Sequence, residues 1–242
     1  MGRILVKLVI DVPDAKNILP NAYAYWGKAS ELDLDETETV GNSAFIGCTA
    51  LERVSLPSAT TLGDKAFQFC MNVEEVSLPR ATQIGLKAFG NCTGLKTVSI
   101  PNVVSIGEGV FQLCKEIETI SFPCLVSAGK EAFYGCSGIE RFELPSLQTI
   151  DDKTFARCMG LTEILLPNLN TSPIGAFRDC SNLQCVAIPS ATNVADNSFQ
   201  GCINVEYLNI QSSTTLYEKM FKDMPNIKYI NIKELGLDWV NN

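Results

Sequence analysis

Ile84-Gly85-Leu86-Lys87-Ala88-Phe89-Gly90-Asn91-Cys92-Thr93-Gly94-Leu95-Lys96-Thr97-Val98-Ser99-Ile100-Pro101 is one turn of a pattern that recurs every 22 residues. Phe stands at 45, 67, 89, 111, 133, 155, 177, 199 and 221, with no insertion between copies. Cys keeps step at 48, 70, 92, 114, 136, 158, 180 and 202, and Met224 takes the next place. Pro follows at 57, 79, 101, 123, 145, 167 and 189. A fixed period of this length means that each repeat traces the same path and stacks on its neighbour, with equivalent residues in register.

The columns then acquire roles. Val54-Ser55-Leu56, Val76-Ser77-Leu78 and Val98-Ser99-Ile100 alternate apolar and polar residues, the period of a strand buried on one face. Each predicts a short parallel strand, ended by a Pro that has no amide to donate. The next segment, such as Ile84 to Phe89, predicts a short helical or 3-10 turn whose Phe plugs the core. Gly occupies the start of that turn at 41, 63, 85, 107 and 129 and is replaced by Asp151, Pro173, Ala195 and Tyr217. The C-terminal coils are therefore expected to turn differently.

A stacked core needs covers at both ends. Tyr23, Trp26, Ala29, Leu32 and Leu34 fall in the columns of Phe45, Cys48, Leu51, Val54 and Leu56, so residues 21 to 34 read as a degenerate first coil. Before it, Ile4, Val6, Leu8, Ile10 and Val12 alternate with polar residues as a capping strand within 1–20. Lys7, Asp11 and Asp14 interrupt that run, which therefore reads as structure and not as a signal peptide. The solenoid spans 21–233, and Leu235, Leu237, Trp239 and Val240 of 234–242 are placed to cap the last coil.

The linked pattern Ile84-Gly85-x-x-Ala88-Phe89-x-x-Cys92-x-x-Leu95-x-x-Val98-x-Ile100-Pro101 resembles the BspA-like class of leucine-rich repeats, over about residues 21 to 233. The resemblance implies an α/β solenoid with a parallel strand ladder on its concave side. It also implies a protein of the cell surface or secreted, with adhesion or host interaction as its role. No binding residue carries over, because in that class the exposed residues differ between members.

The chemistry of the chain narrows the alternatives. With 27 Asp and Glu against 19 Lys and Arg, the net charge of -8 argues against nucleic acid, whose binding rests on Lys and Arg contacts to phosphate. No window approaches 18 uninterrupted apolar residues, so direct insertion into a membrane is not expected. The chain has no His, which removes the usual general base and the Ser-His and Cys-His nucleophile pairs. Asp151-Asp152 and Asp33, Asp35 and Glu36 read as exposed loop charge, not acid-base groups. The ten Cys lack the close pairs of a zinc site and read as buried free thiols, with Cys124 and Cys185 outside the column. Cys185 falls at an expected exposed position and is read as the most reactive thiol. Neither an enzyme nor a cofactor or metal site is expected.

A binding module remains, and its face is the polar side of the strands. One exposed column runs Ser55, Ser77, Ser99, Ser121, Glu143, Leu165, Ala187, Asn209 and Asn231; the other runs Arg53, Glu75, Thr97, Thr119, Arg141, Glu163, Cys185, Tyr207 and Tyr229. The first four coils look small and featureless. The candidate partner-binding residues are therefore Arg141, Glu143, Glu163, Leu165, Cys185, Tyr207, Asn209, Tyr229 and Asn231, with the two Tyr as anchors. An unidentified protein is the expected partner. An intracellular structural or assembly scaffold is the alternative reading.

Overall fold

A computed structural model describes residues 8–211, 215–216 and 224–233. The predicted C-terminal cap, Ile4, Val6, Tyr217 and Phe221 lie outside them. The described chain winds into coils whose paired strands are offset by 22 residues at every step, from Val9 opposite Glu31 to Tyr207 opposite Tyr229.

Each full coil contributes a two-residue strand to one ladder, and every full coil except that at 141 to 143 contributes a longer strand to another. The longer strands form two four-stranded parallel sheets, Arg53–Ser55 through Thr119–Ser121 and Glu163–Leu165 through Tyr229–Lys233. Val9–Asp11 and Glu31–Asp33 pair in the same register before them. The shorter strands run from Asn17–Ile18 through Thr149–Ile150 as a seven-stranded sheet and resume at Thr171–Ser172. After the longer strands from Arg53–Ser55 to Cys185–Ile188, Pro takes the second position of a turn, as in the bond from Ala59 N to Leu56 O at 3.3 Å. The Pro carbonyl then accepts a side-chain bond from the next coil, for example from Asn102 Nδ2 to Pro79 at 2.6 Å and from Ser190 Oγ to Pro167 at 2.6 Å.

The predicted helical or 3-10 turn is not there: the described residues contain no helix. In its place the amides alternate between two directions. Ala44 N, Ile46 N and Cys48 N bond back three residues at 3.2 Å, while Ser43 N, Phe45 N and Gly47 N reach Asp64, Ala66 and Gln68 of the next coil at 2.8 Å. A helix would need every amide to bond within its own segment. Two columns are also left-handed throughout: Ser43, Lys65, Lys87, Gly109, Glu131, Lys153, Gly175 and Asn197, and four residues later Gly47, Phe69, Asn91, Leu113, Gly135, Arg157, Asp179 and Gly201. A left-handed third residue is what a type II turn requires, and it is incompatible with a right-handed helix.

The C-terminal coils keep this turn. Lys153, Arg157, Asp179 and Asn197 have φ of 56, 59, 61 and 61°, although the Gly column is lost before them. That Gly is not itself left-handed. It serves close approach between coils, since a Cβ on Gly85 would lie 2.5 Å from Asp64 N. The coils from Asp151 onward accommodate a Cβ there without changing hand.

The core consists of the expected columns. Phe45, Phe67, Phe89, Phe111, Phe133, Phe155, Phe177 and Phe199 are fully buried, and consecutive rings stack nearly parallel at 5.0 to 5.8 Å. Tyr23 extends the stack onto Phe45 at 5.3 Å, and Ala29 and Leu34 are buried beneath it. The coil at 141 to 143 departs from this regularity. Phe122 and Phe142 occupy columns that other coils fill with aliphatic residues, and Phe142 meets Phe133 and Phe155 edge-on at 5.1 and 4.9 Å. There the longer ladder thins to two isolated bridges, Ser121 to Glu143 and Arg141 to Glu163.

Candidate partner-binding face

Strand alternation sends Val54, Val76, Val98 and Ile120 inward and their neighbours to the opposite face, so the longer ladder displays two columns to solvent. Register brings Arg141, Glu163, Cys185, Tyr207 and Tyr229 into one of them and Glu143, Leu165, Ala187, Asn209 and Asn231 into the other. All nine residues singled out from sequence thus share one face.

Their environments differ. Tyr207 and Tyr229 stack with centroids 5.5 Å apart and 6° between ring planes, yet remain 45% and 58% exposed. Leu165 is 53% exposed on the neighbouring column. Arg141 is ion-paired to Glu163, and Glu143 and Asn231 are open to solvent. Asn209 buries an Oδ1 that accepts no hydrogen bond among the described residues. Cys185 is half-buried, and burial followed by the nearby Glu163 carboxylate raises its thiol above the ordinary range. It is therefore not the most accessible thiol; that is Cys124, which is exposed in the column where other coils carry Ser, Asn or Arg.

All ten cysteines are free. The column thiols donate to the carbonyl of the Phe 25 residues earlier, as in Cys70 to Phe45 and Cys92 to Phe67, both at 3.1 Å. Burial pushes the pKa values of the column thiols from Cys48 to Cys180 up, to about 12 at Cys114 and Cys158. A thiol held protonated is a poor nucleophile and a poor metal ligand. Asp33, Asp35, Glu36, Asp151 and Asp152 are all exposed, as loop charge should be.

The first coils are not featureless. Two hollows of about 1260 and 850 Å³ lie over the N-terminal part of this face and share Glu75 and Thr97. Ser55, Ser77, Ser99 and Ser121 form a low floor. The walls come from residues immediately before the strands, Glu52, Glu74, Lys96, Glu118 and Glu140, a column that a reading confined to the strand positions passes over. Lys96 lies 3.1 Å from Glu74, and its pKa is raised by that hydrogen bond and by the charges of Glu74, Glu116 and Glu118. Arg53 reaches Glu75 at 3.0 Å.

Comparison with known proteins agrees with this architecture. A leucine-rich cell surface protein of Faecalibacterium prausnitzii is 19% identical, with 90% of this chain and 83% of that one covered and a TM-score of 0.57. A leucine-rich-repeat protein of T. pallidum is 22% identical over 90% of this chain and 81% of the other, at a TM-score of 0.46. A search of curated proteins returns no match. Leucine-rich repeats of this kind are in general protein-binding modules, and no catalytic family is indicated. The family model for the BspA type leucine-rich-repeat region matches residues 16–128 and 126–238, nearly the whole sequence, and the chain belongs to that family.

Proposed function

We propose that this protein is a cell-surface binding module, used in adhesion or host interaction, that engages a protein partner through the exposed face of its longer strand ladder. The observation that carries the reading is the pair Tyr207 and Tyr229. Their rings stack on each other and still leave about half of each in solvent, and the exposed Leu165 stands on the same face two strands from Tyr207. Aromatic rings with a polar tip, fixed on rigid strands, lose little side-chain entropy on binding and serve as anchors. Arg141, Glu143, Glu163, Cys185, Asn209 and Asn231 supply a polar surround. The surface location is supported by the family and by the F. prausnitzii protein.

The test is capture of host surface proteins by the chain and by its Tyr207→Ser/Tyr229→Ser variant. Loss of specifically captured proteins with unchanged melting supports the reading. Unchanged capture with a lowered melting temperature makes the pair structural. Antibody labelling of intact cells checks the location.

A further inference from the structure

The N-terminal half of the same face carries a charge pattern that the anchor reading does not use. The two hollows join into one trough from Glu31 to Glu143. Its lining holds eight carboxylates against three cations, although the chain as a whole has only 27 against 19. All three cations are already engaged: Arg53 by Glu75, Lys96 by Glu74 and Arg141 by Glu163. Glu118, Glu140 and Glu143 form no ion pair among the described residues. Among those residues no three acidic groups come close enough to hold a metal ion. The negative charge is spread along the trough, which suits a chain of cations better than a single one.

Shape points the same way. The trough crosses the strands at the positions of residues 31, 53, 75, 97, 119 and 141, five steps of about 4.8 Å, or about 24 Å. An extended chain covers that length in about seven residues at roughly 3.3 Å each. The Ser floor leaves room for a backbone and offers hydroxyls to it, while carboxylates stand along the wall.

We infer that the trough binds a Lys- or Arg-rich extended segment of a protein partner, laid across the strands from Glu31 toward Glu143. The inference rests on the ladder face being a protein-binding surface and adds a second, electrostatic half to it. A surplus of negative charge along the rim steers association and selects partners of opposite sign.

A fluorescent ten-residue peptide of alternating Lys and Ser is the probe, followed by anisotropy at low and at physiological salt. The Glu116→Gln/Glu118→Gln/Glu140→Gln variant, which leaves the residues of the proposed partner-binding surface untouched, should bind it at least tenfold more weakly. The Glu108→Gln/Asp151→Asn/Asp152→Asn variant removes the same charge from the turns and should bind within twofold of the parent. Equal weakening in both sets would mean attraction to net charge alone and would overturn the trough. Binding of a Glu-Ser peptide of the same length would overturn it as well, as would displacement of the probe by micromolar calcium.

The Tyr207→Ser/Tyr229→Ser variant should retain the probe in full. Probe binding lost only in the trough variant, with protein capture lost only in the Tyr variant, supports both readings. Probe binding unaffected by the trough variant, with capture still lost in the Tyr variant, sinks this inference and leaves the proposed function standing.

Discussion

The thiol of Cys92 donates to the carbonyl of Phe67 at 3.1 Å, and the same carbonyl accepts Cys70 N from its own coil at 3.2 Å. One oxygen therefore closes the turn of its own coil and ties the next coil to it. Repeated along the column, this makes protonated sulfur part of the structure.

Alkaline pH should loosen the solenoid for that reason. The folded thiols of Cys114 and Cys158 have pKa values of about 12, whereas an unfolded thiol ionises near 8.5. Their folded values are raised, so the stability they contribute is complete below about pH 8.5 and declines until about pH 12. In that window the unfolded state holds fewer protons, and each thiol withdraws about 1.4 kcal/mol per pH unit. Urea unfolding at pH 8 and pH 10.5 should show a steep loss, and the Cys114→Ala/Cys158→Ala variant a shallower one by nearly 3 kcal/mol per pH unit. An identical slope would refute the assignment.

The stacked rings give a second prediction. Phe133 is fully buried, against Phe111 and Phe155 at 5.8 and 5.5 Å and against Phe142 edge-on. Phe133→Ala should cost about 3 to 5 kcal/mol. In a chain of this size that lowers the melting temperature by on the order of 10 °C. Phe69, exposed on a turn, should tolerate the same change with little loss.

Left-handed turns predict an unusual order of substitutions. Lys65 is exposed at φ 56°, held by the bond from its amide to Leu86 O at 2.7 Å. A β-branched side chain is strained in that conformation, whereas Gly is not. Lys65→Val should therefore be about 1 to 2 kcal/mol less stable than Lys65→Gly by denaturant unfolding. In a helical turn the order would be reversed.

The thinned ladder at 141 to 143 should be visible in hydrogen exchange. Two isolated bridges replace the paired strands found at Glu75–Ser77. Amides of Arg141 to Glu143 should exchange faster than those of Glu75 to Ser77, reflecting a lower cost of local opening. Equal protection would mean that the edge-on packing of Phe142 compensates for the lost pairing.

Most of the scaffold was legible from the 22-residue spacing, because in a register without insertions a buried column repeats its residue type. Phe, Cys and the strand columns were assignable on that basis. The turn was not, since Gly holds only five of the sixteen positions in its two left-handed columns. What holds them there is a bond to the next coil, which no local propensity reports. The candidate face was legible at its C-terminal end, where Tyr207 and Tyr229 stand out chemically. The acidic wall was missed because Glu52, Glu74, Glu118 and Glu140 precede the strands, and only the turn geometry brings them to the rim.

The uniform offset between coils has a consequence for how such a chain can change length. Strand pairing always joins residues 22 apart, and the thiol bonds always join residues 25 apart. Deleting any 22 consecutive interior residues rejoins equivalent positions, so the splice re-creates the same bonds wherever the cut falls. Genetic recombination between repeats thus needs no privileged breakpoint, and the reach of the protein can be shortened or extended one coil at a time without redesign of any joint.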